Sequence, residues 1–272
     1  MPSIKVEGVQ FEYPGEIQAL KGIDIEIGTE TVAVIGRNGG GKTTLMKHLN
    51  GLLRPTVGRV LINGEDIRRK SVAQISQQVA LSFQNPDDQL FNATVKAEVA
   101  FGPKNLGLDQ REATRNAEWA MELLGLTELA NENPADLNFS ERKRVAIASA
   151  VAMDTPIIIL DEPTTGQDYE SIQILENLVR ELHSLGKTVI TVTHDMEFVA
   201  NNYQRIIVIA HGKVVADGPC REVFANEEAL KLAQVVQPLA TRLAVAAGLT
   251  GQILTPQDLL ETLERIEAEQ VS

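Results

Sequence analysis

Residues 36–44 read Gly36-Arg37-Asn38-Gly39-Gly40-Gly41-Lys42-Thr43-Thr44, which fits the spacing G-x-x-x-x-G-K-[ST] of a phosphate-binding loop. Glycines let the backbone curl around phosphate oxygens without Cβ clashes. The loop N–H groups and the positive end of a following helix then face the anion. Lys42 can reach the β and γ phosphates, and the Thr43 hydroxyl can ligate Mg²⁺. A second set is Ile157-Ile158-Ile159-Leu160-Asp161-Glu162, an apolar run that ends in two carboxylates. Such a strand delivers its terminal carboxylates to the sheet edge where ligands of α/β folds bind. Asp161 would hold Mg²⁺, largely through water, and Glu162 would polarise an attacking water. Solvated carboxylates are the ordinary reading of such a pair, and the glycine loop upstream turns it toward chemistry. Together the two sets imply a nucleoside triphosphate, but they do not separate a kinase from a GTPase or a pump.

The positioning elements follow from periodicity. Residues 31–35 read as a short buried strand, and 42–50 has helical spacing with Leu45, Met46 and Leu49 on the apolar side. Residues 156–160 look like a central parallel strand. A helix over 168–185 follows, then a strand over 187–193 that ends at His194, then a hairpin (205–210 and 213–216) around His211-Gly212. Strands alternating with helices around a phosphate loop imply a doubly wound α/β core. Residues 3–13, ended by the Pro14-Gly15 turn, and the Ile23, Ile25, Ile27 alternation predict peripheral antiparallel strands. Residues 59–62, the Asn63-Gly64 hairpin turn and residues 78–83 are assigned to the same peripheral region. Residues 94–153 carry a helical pattern: Asp109 with Glu112 makes a capping box for a helix to Leu124, and Ser140 is the expected N-cap of a helix through Met153. The tail beyond Pro219 is mostly helical. Its stripe of Leu259, Leu260, Leu263 and Ile266 either packs on the core or forms a dimer contact.

Composition excludes several classes. With 272 residues and 43% hydrophobic content, the chain can build one globular domain plus a small appendage. A net charge of −12 argues against nucleic acid as a main partner. Cys220 is the only cysteine, so no intrachain disulfide and no cysteine metal cluster is expected. The longest apolar runs, 145–153 and 157–160, are too short to span a bilayer. The N-terminus carries no signal-peptide pattern. The expectation is a cytoplasmic chain whose membrane role, if any, comes through a partner.

Over residues 3–224 the sequence resembles the ABC-transporter ATPases. The resemblance rests on the phosphate loop, on Asp161-Glu162-Pro163-Thr164-Thr165-Gly166, on Thr191-Val192-Thr193-His194-Asp195, and on the spacing of Gln84. It implies an α/β P-loop NTPase (RecA-like) core with a peripheral antiparallel β subdomain, an inserted helical subdomain at about 94–153 and a C-terminal helical extension. The division it implies is an ATPase domain over 1–218 and a helical, dimerising segment over 219–272. ATP would be held by Tyr13, Gly36, Asn38, Gly39, Gly40, Gly41, Lys42, Thr43, Thr44, Gln84 and Asp161, with Tyr13 stacked on adenine. Thr43, Gln84 and Asp161 would hold Mg²⁺. Lys42, Gln84, Glu162 and His194 would serve hydrolysis, with His194 as the switch histidine and Asp168 as the D-loop aspartate. Bland readings stand beside these: Tyr13 as a rim tyrosine of a sheet, and His194 as a structural histidine at a strand end.

Residues 83–91, Phe-Gln-Asn-Pro-Asp-Asp-Gln-Leu-Phe, look particularly like the ATPase subunits of energy-coupling factor (ECF) transporters and their cobalt and nickel relatives. These import vitamins or metal ions. That resemblance implies a peripheral place on the cytoplasmic face of the membrane, beside a transmembrane coupling subunit and a substrate-binding membrane subunit. Asp87, Asp88 and Glu98 would receive arginines of a partner helix, or form a solvated face.

One motif departs from the family. Two such ATPases meet head to tail, each ATP lying between one phosphate loop and the other chain's Leu-Ser-Gly-Gly-Gln signature. Here the matching stretch is Leu137-Asn138-Phe139-Ser140-Glu141, and Gln167 replaces the usual D-loop leucine. Asn138 and Ser140 remain the candidate contacts to the partner's ATP, while Glu141 brings negative charge toward phosphate. The expectation is a heterodimer with a second ABC ATPase whose signature is intact. A homodimer and a cost-free variation are the alternatives. A DNA-repair ATPase of the same core would carry a long insertion between Thr44 and Leu137, and none is present. A soluble regulatory ABC module stays open, and a kinase or GTPase would leave the signature-like helix and His194 unexplained.

Overall fold

The apolar runs build the sheet that carries both chemical sets. The computed structural model describes residues 3–15, 17–249 and 253–271. The strands are β1 (Ile4–Tyr13), β2 (Ile17–Ile27), β3 (Thr31–Ile35), β4 (Val57–Ile62), β5 (Glu65–Asp66), β6 (Val79–Ser82), β7 (Ile157–Asp161), β8 (Thr188–Val192), β9 (Arg205–Ala210) and β10 (Lys213–Pro219). The helices are α1 (Lys42–Leu49), α2 (Val72–Ser76), α3 (Val95–Asn105), α4 (Gln110–Leu123), α5 (Phe139–Val151), α6 (Tyr169–Ser184), α7 (Met196–Asn202), α8 (Cys220–Ala225), α9 (Glu227–Ala233), α10 (Leu239–Ala246) and α11 (Pro256–Val271). Six strands form one sheet in the order β10-β9-β3-β8-β7-β6, and four form another in the order β2-β1-β4-β5. The five strands from β9 to β6 run parallel and β10 joins β9 antiparallel, with Ile159 of β7 opposite Leu81 on one side and Ile190 on the other.

Burial on both faces explains the near-continuous apolar strands. Val32, Val34, Ile157, Ile159, Ile190 and Ile207 point into a core shared with α1 and the four-stranded sheet. Their alternates Ala33, Ile35, Ile158, Leu160, Val189 and Ile206 point into a core shared with α3 to α7. The fold class is as the sequence implies: a parallel P-loop core, a peripheral antiparallel sheet and an inserted set of helices. Asn63 and Gly64 make the two-residue turn between β4 and β5, with φ of 53° and 80°.

Two local expectations are corrected. Residues 79–82 belong to the parallel core sheet, not to the peripheral one. They pair in parallel with Ile157–Leu160, because both faces of this edge strand have helices or strands to bury against. The N-cap of α5 is Asn138, not Ser140. Asn138 Oδ1 accepts from Glu141 N–H at 2.9 Å, and Glu141 Oε2 accepts from Asn138 N–H at 3.0 Å, a reciprocal box two residues earlier.

The tail does not stand apart at its start. Cys220, Val223, Phe224, Leu230 and Ala233 join the main core, while Ala240, Ala244 and Ile253 form a small cluster of their own, with Leu259 packed on it. Leu260 and Leu263 of the α11 stripe are exposed at 51% and 43%, so only part of that stripe packs inward. Among the described residues no helix is long and apolar enough to cross a membrane.

Candidate functional site

The glycine loop runs from the end of β3 into α1, and its glycines are there for space. A Cβ on Gly36, whose φ is 144°, would stand 2.1 Å from the Ile209 carbonyl oxygen. Gly41 has a φ of 108°, and a Cβ there would lie 2.7 Å from the Ala19 carbonyl oxygen. No side chain caps α1, and its first turn holds no acidic residue, which leaves its positive end open to an anion. Lys42 is 5% exposed, and its ammonium donates to the carbonyls of Gly36 at 2.6 Å and Arg37 at 3.2 Å. Burial pushes its pKa down, and the Glu162 and Asp161 carboxylates oppose that shift.

A cleft of about 460 Å³ opens over this loop. Tyr13, Gln18 and Ala19 form one wall, Asn38, Gly39, Gly41, Lys42, Thr43 and Thr44 the floor, and Gln84 and Glu162 the far side. The Tyr13 hydroxyl lies 3.3 Å from the Thr44 hydroxyl, and its ring packs edge-on to Phe11.

Asp161 and Glu162 are each 4% exposed at the end of β7. Burial raises the Asp161 pKa, while a hydrogen bond from the Thr43 side chain and the nearby lysines lower it. Asp161 Oδ1 is buried without a hydrogen-bond partner. An orphaned carboxylate oxygen is rare in a folded core. With the Thr43 hydroxyl and the Gln84 amide it makes a donor set of hard oxygens, which fits Mg²⁺. Glu162 takes a φ of 50°, uncommon for a side-chain-bearing residue, and its N–H is tied to the Val192 carbonyl at 2.8 Å. Its Oε2 lies 2.7 Å from His194 Nδ1 and 3.3 Å from the His194 backbone nitrogen. The His194 side chain is 66% exposed and faces a neighbouring cleft of about 490 Å³, which Gly36, Asn38 and Arg242 also line.

Three expected residues lie elsewhere. Gly40 and Asp161 line neither cleft but belong to the loop and to the end of β7, whereas Asn138, Ser140 and Asp168 line neither cleft and belong to neither element. Asn138 caps α5, and Asp168 caps α6 by accepting from Ser171 N–H at 2.8 Å, a bond that lowers its pKa. The Ser140 hydroxyl donates to Gln167 Oε1 at 3.0 Å and lies 3.1 Å from the Ser171 hydroxyl. The Phe139 ring sits where a Cβ on Gly166 would come within 2.6 Å of it. The two departures from the family pattern, around Phe139 and at Gln167, therefore touch.

The segment carrying Gln84 is held by residues that spacing did not single out. Gln89 accepts from Phe83 N–H at 3.0 Å and donates to the Ala146 carbonyl at 2.7 Å. Lys143, fully buried, donates to the carbonyls of Phe83, Gln84 and Asp161. Glu98 cannot receive a partner's arginine. It is 2% exposed, and one carboxylate oxygen already accepts from Phe91 N–H, Asn92 N–H and the Asn92 amide. Asp87 and Asp88 stay on the surface, Asp87 with its own chain's Arg142 at 3.7 Å.

Comparison with known proteins agrees with this architecture. Residues 20–165 match the family model described as ABC transporter. The energy-coupling factor transporter ATP-binding protein EcfA of Methanothermobacter thermautotrophicus is 40% identical over 267 residues, 96% of this chain and 86% of that one. A Methanosarcina acetivorans protein named for ABC transporter ATP binding is 40% identical over 268 residues, 97% of this chain, but the chain spans only 44% of its length. Among solved structures, CbiO1 of Clostridium perfringens, described as part of the ABC transporter complex CbiONQ, aligns with a TM-score of 0.74. The identity is 33%, over 90% of this chain and 98% of that one. The chain belongs to the ABC transporter family of ATP-binding proteins and is similar to its energy-coupling factor members.

Proposed function

We propose that this chain binds and hydrolyses ATP to power an importer of the energy-coupling factor type. The observation that carries the reading is the cluster of buried Lys42, Asp161 and Glu162 with half-buried Thr43, beneath a cleft whose rim holds Tyr13 and Gln84. Tyr13 receives the adenine, and the loop N–H groups with Asn38 and Thr44 receive the phosphates. When Mg²⁺ is bound, Thr43, Asp161 and Gln84 hold it, and it neutralises charge on the phosphate oxygens. Lys42 exchanges its loop carbonyls for phosphate oxygens. Glu162, fixed in place by the His194 bond, orients and deprotonates the attacking water. His194 steadies the γ-phosphate. Catalysis in this class is mainly positioning and charge stabilisation.

The second half of each site comes from another chain. Asn138, Ser140 and Asp168 stand outside this chain's own cleft, which supports the head-to-tail arrangement. The α5 end that would meet the partner's γ-phosphate already carries Glu141, so the partner's ATP is turned over slowly. This chain's own site, completed by a partner with an intact signature, is the competent one. Residues 1–218 form the ATPase domain and 219–272 the dimerising segment, where exposed Leu260 and Leu263 supply contact area. The assembly sits peripherally on the cytoplasmic face of the membrane, against a transmembrane coupling subunit. A separate membrane subunit selects the vitamin or metal-ion cargo; the relatives' names support the energy-coupling factor type and the multi-subunit complex.

The test uses the purified full chain and the same chain in native membranes. The purified chain should bind ATP, the native complex should hydrolyse it in a Mg²⁺-dependent way, and Lys42→Ala should abolish that hydrolysis. No nucleotide binding by the full chain would contradict the reading. Hydrolysis with no membrane protein ever co-purifying would favour a soluble regulatory ATPase instead.

A further inference from the structure

Lys143 heads the fully buried side chains, at 0% exposure. A buried ammonium is costly unless paired or well bonded. Among the described residues its bonds go to carbonyls only: Phe83 at 3.0 Å, Gln84, and Asp161 at 3.1 Å. Lys187 shows the contrast. It too is buried, but it pairs with the Asp154 carboxylate at 2.7 Å, far from the cleft, as a structural lysine does.

The acceptors of Lys143 are not arbitrary. Gln84 and Asp161 are two of the three residues proposed for Mg²⁺, and Lys143 grips the main chain of both. It reaches them from α5, the helix whose N-terminus is the altered signature. The Asp161 and Glu162 carboxylates act on it electrostatically and offset part of its burial cost. Lys42 and Lys143 thus bracket the two acids: Lys42 faces the cleft, while Lys143 stands behind, out of reach of any ligand. We propose that Lys143 is a positioning residue of the ATP site, a cationic tie that holds the Gln84 segment and the Asp161 strand end in register so that both meet one Mg²⁺. The inference rests on the ATP reading above.

The tie acts on metal affinity and leaves the phosphate cradle alone. Groups that orient metal ligands without touching the metal are worth about 10–100-fold in metal affinity. The test titrates a fluorescent ATP analogue onto the full chain, with and without Mg²⁺, for the wild type, Lys143→Met and Lys143→Gln. Metal-free binding should stay within about twofold of wild type, because the loop is untouched. The Mg²⁺ concentration that half-tightens binding should rise by about tenfold or more in Lys143→Met, and by less in Lys143→Gln, which keeps a donor. Folded variants with an unchanged Mg²⁺ requirement would overturn the proposal. So would variants that lose metal-free and metal-bound affinity alike, or that melt before binding anything, since both assign Lys143 to packing. A wild type that binds no nucleotide would instead sink the ATP reading itself.

Discussion

Two helices of this chain begin where we propose that phosphate is met, and they are finished differently. α1 starts after Gly41 with no side-chain cap and no acid in its first turn. α5 starts after Asn138 with a reciprocal capping box and Glu141 in its first turn. The same N–H groups and the same dipole are offered to a ligand in one case and satisfied from within in the other. A helix end that supplies its own carboxylate has little left for an anion. The surroundings repeat the contrast. Around α1, glycines keep the loop open against the Ile209 and Ala19 carbonyls. Around α5, Phe139 covers Gly166 and Ser140 bonds Gln167, so the altered signature is tied down as a unit.

The largest way to break the comparison is Glu162→Gln. Hydrolysis by the assembled transporter should fall on the order of a thousandfold while ATP still binds, measured as phosphate release beside nucleotide affinity. Retention of most of the activity would place the competent site on the other side. Next is Gly36→Ala. A Cβ 2.1 Å from a backbone oxygen cannot be relieved by a side-chain rotation, so the chain should lose more than about 3 kcal/mol of stability in denaturant titration. Gly166→Ala meets only the Phe139 ring and a left-handed φ of 72°, and should cost about 1–2 kcal/mol.

A third effect concerns α5 behind its closed tip. Burial lowers the Lys143 pKa to about 8, against 10.5 for an ordinary lysine. Between those values the unfolded chain holds the extra proton, so this group makes stability rise with pH across that window. The full gain is at most roughly 3 kcal/mol. Denaturant midpoints from pH 7.5 to 10.5 should show this rise in the wild type, with its share absent in Lys143→Met. The smallest effect sharpens the signature side. Grafting Ser-Gly-Gly at 138–140 leaves the Gln167 amide oxygen without the Ser140 hydroxyl that donates to it. Turnover at the slow site should therefore rise less with the graft alone than with the graft plus Gln167→Leu. The difference should be about fivefold, one hydrogen bond's worth. Equal rates would mean the two departures are independent.

Much of the site was legible because its chemistry demands particular residues at fixed spacing. The glycine loop and the strand ending in Asp161-Glu162 needed no tertiary information. Other features did. Asn138 and Ser140 are both good N-caps, and only the Glu three residues after Asn138 separates them, a signal that the sequence did carry. Val79–Ser82 is too short and apolar for periodicity to tell an edge of the core sheet from a peripheral strand. Lys143 sits in the basic run Arg142-Lys143-Arg144, where nothing in the sequence marks one of the three as buried. Only the crossing of α5 over the ends of β6 and β7 buries it. Glu98 likewise reads as surface charge until the turn at 91–92 wraps its carboxylate.

The most direct test of the asymmetry is the composition of the native complex. The tagged chain is purified gently from its membranes, and its co-purifying chains are identified and counted by mass spectrometry. One copy of this chain, one copy of a second ABC ATPase with a complete Leu-Ser-Gly-Gly-Gln signature, and multi-span membrane subunits is the predicted result. Two copies of this chain and no other ATPase would contradict it, because both sites would then face a signature closed by Asn138 and Glu141.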